Sequence, residues 1–152
     1  GSLTSGLAAL YDAGLDAIRV SLNSATADLY EAYYKPVKYS FADVEASIAL
    51  SRKRGAYLAL NLLLFPGVTD REGEVEALKR LVKKYDVDQV QTRSLCIDPL
   101  QCLEVAAGKG GGGEPIGVGN LMRELKSARK GLVIGNFARG LGERRRQADA
   151  IR

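Results

Sequence analysis

The stretch Tyr57–Phe65, Tyr-Leu-Ala-Leu-Asn-Leu-Leu-Leu-Phe, is almost continuously apolar and is interrupted by Asn61. A run of that length without alternation is what a strand buried on both faces requires, and such strands belong to parallel sheets covered by helices. Two more stretches fit the same sheet. Asp16–Asn23 puts Ile18, Val20 and Leu22 on one face and Arg19, Ser21 and Asn23 on the other. Asp88–Ile97 puts Val90, Thr92, Ser94 and Cys96 on one face and Gln89, Gln91 and Arg93 on the other, and Pro99 stops it. As leader of a strand–helix series, the first strand should be covered on both faces, so its polar row needs a purpose such as lining a cavity.

Helical patterns separate the strands. Leu3–Ala13 carries a stripe of Leu7, Leu10 and Tyr11 and meets a stop at Gly14. Ser24–Tyr34 is anchored by Leu29, Tyr30 and Tyr33 and ends at Lys35-Pro36. A longer helix opens at Ser40 as cap with Asp43 in its first turn, runs through Phe41, Val44 and Ile48, and ends at Arg52-Lys53-Arg54-Gly55. Another opens at Asp70 as cap and buries Val75, Leu78, Leu81, Val82 and Tyr85. Alternation of this kind builds a parallel sheet through right-handed crossovers. The repeat is about forty residues, near one unit of a β/α barrel. The fold class is α/β, a partial (β/α) barrel over residues 3–99, half of a TIM-like barrel.

Beyond Leu100 the pattern degrades. Residues 100–119 read as a flexible Gly-rich loop around Gly108–Gly113. Residues 120–139 hold a short helix with Leu121, Met122 and Leu125, then a strand or extended segment at Leu132–Phe137. Residues 140–152 read as a basic, disordered tail whose Arg144–Arg146 are solvated.

Composition removes several function classes. The chain has no His, which argues against a histidine-dependent hydrolase and a zinc enzyme. Its two cysteines, Cys96 and Cys102, fit a reducing compartment, and the expected location is cytoplasmic. No apolar run is long enough to span a membrane. The net charge of +4 is mild and no aromatic-rich basic stripe accompanies it, so nucleic acid is not an expected partner. Gly1-Ser2 looks like a cloning remnant and no initiating Met precedes the first helix, so the chain reads as a portion of something longer.

In parallel α/β folds ligands lie beyond the carboxyl ends of the strands. The first strand offers Arg19, Ser21, Asn23 and Ser24 there, the second Asn61, and the third Gln91, Arg93, Ser94 and Asp98. These groups suit a ribose, an amino-acid carboxylate or a peptide-like group, and they contain no nucleophile–base pair. Plainer roles compete at each position. Asn61 would be a buried amide satisfied by backbone, Ser21 and Asn23 would make cap or turn contacts, and Arg93 would pair with Asp98. The coincidence of three polar ends at one edge weighs for a ligand.

Ile18-Arg19-Val20-Ser21-Leu22-Asn23-Ser24 with Leu29-Tyr30, then Asn61-Leu62-Leu63-Leu64-Phe65-Pro66-Gly67-Val68-Thr69-Asp70 with Glu74, then Gln91-Thr92-Arg93, together resemble the second half of a radical S-adenosylmethionine barrel. The resemblance covers about Leu3 to Pro99. It implies that Ser21, Asn23 and Asn61 contact S-adenosylmethionine and that Gln91 and Arg93 contact the substrate. It also implies a parent enzyme with a [4Fe–4S] cluster, a 5′-deoxyadenosyl radical and hydrogen abstraction from an unidentified substrate. The family's Cys-x-x-x-Cys-x-x-Cys loop, which holds that cluster, is absent from this chain, so the chain alone is expected to be inactive. Half a barrel leaves an open sheet edge, and dimerisation through it is expected.

Two other functions fit the same residues. One is an α/β domain binding a phosphorylated small molecule through Arg19, Arg93 and the glycine run, although that run lacks the Gly-Lys-Ser/Thr ending of a phosphate loop. The other is a non-enzymatic interaction domain whose basic tail meets an acidic partner.

Overall fold

A computed structural model describes residues 3–95 and 97–135 of the chain. The element order is α1 (Leu3–Asp12), β1 (Ala17–Leu22), α2 (Ala27–Tyr34), α3 (Phe41–Lys53), β2 (Tyr57–Leu64), α4 (Glu72–Lys84), β3 (Gln89–Ser94), α5 (Pro99–Ala106), α6 (Val118–Ala128) and β4 (Val133–Ile134). The four strands form one sheet in the order β1-β2-β3-β4, and every pairing is parallel.

Why the sheet is wound one way follows from its core. Leu22, Leu58, Leu60, Leu62 and Val90 share one face and pack against Val44 and Ile48 of α3, Leu78 and Val82 of α4, and Leu121 and Leu125 of α6. Helices α3, α4 and α6, one in each connection between successive strands, therefore lie on a single face. Sequential strand order with all crossovers on one side is the winding of a β/α barrel, whereas doubly wound sheets reverse order and use both faces. The chain is an α/β fold of this partial-barrel kind.

Local signals account for most boundaries. Ser40 and Asp43 form a reciprocal capping box at the start of α3. Gly14 and Gly55 carry the positive φ of a left-handed helix stop, at 102° and 71°. Three expectations need correction. Asp70 does not cap α4, because its carboxylate accepts from Gly67 N at 2.6 Å and closes the Pro66–Asp70 turn, which leaves Arg71 in the cap position. The stretch read as a loop over 100–119 begins inside a helix, α5, whose N-cap is Asp98. The first strand is not covered on both faces, since Arg19 and Ser21 are exposed on the side away from the helices. That side is the open face of the sheet. The expected strand at Leu132–Phe137 is β4 as far as it is described, and Cys96 and the 140–152 tail lie outside the described residues.

The amino ends of the strands are tied by charge. Arg52 of α3 and Arg129 after α6 both bond Asp86 and Asp88, and Asp88 also accepts from Leu58 N at 2.8 Å. The Arg129 hydrogen bond, helped by Arg52, holds the Asp86 carboxyl below its ordinary value of 3.8. A carboxylate depressed in the folded state contributes stability that is fully present above the unfolded value and disappears as pH falls through the folded one. Asp86→Asn is thus expected to remove part of the acid sensitivity. In urea melts the wild type should lose more of its midpoint below about pH 4 than the variant does.

Candidate functional site

Parallel register sets the site. Ser21 lies opposite Asn61, and Asn61 opposite Gln91, so residues far apart in sequence form one row across three strands. Alternation puts all three on the open face with Arg19 and Arg93. The row is linked by side chains. Asn61 Nδ2 donates to Ser21 Oγ at 3.4 Å, Arg93 Nε donates to Asn61 Oδ1 at 3.3 Å, and Arg19 Nη1 donates to Gln91 Oε1 at 3.2 Å. Ser21, Arg19 and Arg93 are exposed, Asn61 is half-buried and Gln91 is buried. Neither guanidinium meets a carboxylate among the described residues. Two unneutralised guanidiniums flanking amides and a hydroxyl can bind a carboxylate, a phosphate or a diol.

The plainer roles are partly realised. Asn61 bonds other side chains of the row, not neighbouring backbone. Arg93 does not pair with Asp98, whose carboxylate accepts from Leu100 N at the start of α5. Asn23 takes the turn role, donating from Nδ2 to Leu29 O at 3.3 Å. It is buried and borders a void of about 10 Å³ with Leu63, Phe65, Cys102 and Ala106, so α5 roofs it. Among the described residues its Oδ1 has no hydrogen-bond partner. A void of that size is at the lower limit for one water and far below a cofactor. The structure brings Ser21, Asn61, Gln91 and Arg93 together as neighbours on one face, while Asn23 is withdrawn from it.

Two amides of the glycine run are spent on carboxylates of the chain itself. Gly110 N donates to Asp28 Oδ2 at 2.9 Å and Gly111 N to Glu74 Oε1 at 2.7 Å. These two amides are therefore taken up by carboxylates, which a phosphate would have to displace. Glu74, 1% exposed, also accepts from Ser24 Oγ and Thr26 Oγ1, each at 2.7 Å. One carboxylate thus fastens the segment after β1, the first turn of α4 and the glycine run together. Sequence reasoning missed this clasp, because nothing in a glycine run names its partner.

Among the described residues no group of three or more Cys, Asp or Glu side chains could hold a metal ion. Cys102 is buried, and burial pushes its thiol up, away from the thiolate that ligates iron. No helix of the described residues is long and apolar enough to cross a membrane. No family model matches the chain, and no curated protein matches it significantly.

Proposed function

We propose that the open face is the cofactor- and substrate-binding surface of a radical S-adenosylmethionine enzyme, with Ser21 and Asn61 toward the cofactor and Gln91 and Arg93 toward the substrate. The observation that supports this reading is the in-register row Ser21–Asn61–Gln91 with Arg19 and Arg93 beside it. S-adenosylmethionine carries a carboxylate and a ribose diol, and guanidinium, amide and hydroxyl groups suit both. Asn23, roofed by α5, is outside this surface. The described residues do not fit a [4Fe–4S] cluster, whose thiolates would come from another part of such an enzyme. In enzymes of this class the reduced cofactor supplies a 5′-deoxyadenosyl radical that takes hydrogen from the substrate. The role of this chain is to bind and orient.

Calorimetric titration of the chain with S-adenosylmethionine tests the reading. Binding is expected, and Asn61→Ala should weaken it by about tenfold, the scale of a lost hydrogen bond. Anaerobic reconstitution of the full-length gene product with iron and sulfide should then release 5′-deoxyadenosine. The unneutralised pair Arg19 and Arg93 favours a second reading, a phosphorylated small-molecule ligand. Binding of pyrophosphate without any binding of S-adenosylmethionine, abolished by Arg93→Ala, would establish that reading in place of the first.

A further inference from the structure

We infer that the open face reads an acid and that, given the ligand surface proposed above, the substrate group meeting Arg93 is a carboxylate or a phosphate. Three hydrogen bonds set the polarity of that surface. A guanidinium can only donate, so the bond from Arg93 Nε fixes the Asn61 amide with its Oδ1 toward Arg93. The Nδ2 group of Asn61 is then turned to Ser21 and donates to its Oγ. A serine hydroxyl that accepts there keeps its own proton for a further acceptor. Arg93, Asn61 and Ser21 thus form one directed chain across β3, β2 and β1. The remaining N–H groups of Arg93 stand at one end and the Ser21 O–H at the other.

Arg19 imposes the same polarity one step lower. It reaches over β2 beside its register partner Ala59, whose methyl group leaves the path open, and donates from Nη1 to Gln91 Oε1. A second amide oxygen is therefore occupied by an arginine. The row of Arg19, Ser21, Asn61, Gln91 and Arg93 contains no carboxylate, so what it turns outward is donors. A ligand group carrying N–H groups of its own would set donor against donor, whereas a group with acceptors alone is matched.

Charge narrows the class further. Arg93 is exposed at the carboxyl end of β3 and makes no ion pair among the described residues. Asp98, the next acid in the chain, is held as the cap of α5, where its carboxylate accepts from Leu100 N at 2.8 Å. Arg19 borders a cleft that Asp43 also lines, so the charge that reads the ligand is assigned to Arg93. With Nε spent on Asn61, Nη1 and Nη2 remain, and that pair can engage two oxygens of one carboxylate or phosphate.

The test titrates the isotope-labelled chain, with and without S-adenosylmethionine, and follows the side-chain resonances of Arg93 Nε and Asn61 Nδ2 by NMR. The probes are succinate, inorganic phosphate and succinamide, the neutral diamide with the shape of succinate. An anion is expected to shift both resonances and to bind about tenfold or more tightly than succinamide, and the tighter anion tells a carboxylate from a phosphate. Arg93→Gln is expected to weaken anion binding by about tenfold or more. Asn61→Asp, which keeps the shape and inserts a competing carboxylate, is expected to do the same. Equal affinity for the anions and succinamide, or no shift at Arg93 with either anion, would overturn the inference. So would loss of the anion shift once S-adenosylmethionine is bound, because Arg93 would then serve the cofactor. Anion binding at Arg93 with no binding of S-adenosylmethionine would refute the cofactor reading and leave the acid selectivity standing.

Discussion

Arg129→Met is expected to lower the stability of the fold by about 3–5 kcal/mol, the usual result of removing one partner from a buried ion pair. Arg129 Nη2 meets Asp88 Oδ1 at 3.0 Å, and both side chains are only 6% exposed. The substitution leaves the Asp88 carboxylate buried with Arg52 as its remaining cation, at 3.2 Å. It also releases the segment after α6 from the amino end of β3, which Asp88 anchors through Leu58 N. Arg52→Met is expected to cost less, because the Arg52 side chain is 30% exposed and water can replace part of what is lost. Urea melts of both variants check this ranking. Equal losses would show that the network acts as a loose surface cluster, and a neutral Arg129→Met would show that methionine packing offsets the pair.

The strands were legible because their chemistry is local. Ile18, Val20 and Leu22 alternate with Arg19 and Ser21, and that alternation alone assigns the faces that the sheet then uses. The row of Ser21, Asn61 and Gln91 was legible for the same reason once three parallel strands were accepted, since equivalent positions fall into register. Helix α5 carried a readable signal that the neighbouring glycines obscured. Asp98-Pro99 is an N-cap followed by proline at the first helical position, and Leu100 N bonds the Asp98 carboxylate as that signal implies. What could not be read was long-range pairing of charged groups. Arg129 and Asp88, or Glu74 and Gly111, become neighbours only through the winding of the whole sheet, and no periodicity marks them. The burial of Asn23 was hidden for a related reason. Its position at the end of a strand was correct, but the helix that roofs it comes from a part of the chain read as a loop.

Gly111→Ala is the second substitution expected to act strongly, and the argument for it is one of contact. A methyl group on Gly111 would stand 2.1 Å from the carbonyl carbon of Gly73 and 2.2 Å from Glu74 N, distances no side chain can occupy. Both neighbours are backbone, so neither can swing aside, and the two segments must separate. Separation breaks Gly73 N to Gly112 O at 2.8 Å and Gly111 N to Glu74 Oε1 at 2.7 Å. Losing these two bonds, one of them to a buried carboxylate, is expected to cost about 3 kcal/mol. Gly112 supplies the control, since a methyl group there meets nothing within 4 Å, and Gly112→Ala is expected to stay within about 0.5 kcal/mol of wild type. Hydrogen exchange separates a local opening from a global loss. If the clasp acts locally, Gly111→Ala will expose the amides of Gly73, Gly110 and Gly111 while Leu60 and Leu62 of β2 stay protected. Because Glu74 also holds Ser24 and Thr26 just beyond Ser21, the same variant should loosen the carboxyl end of β1. Unchanged exchange at Ser24 and Thr26 would mean that the glycine run is fastened to α4 alone and has no hold on the edge of the open face.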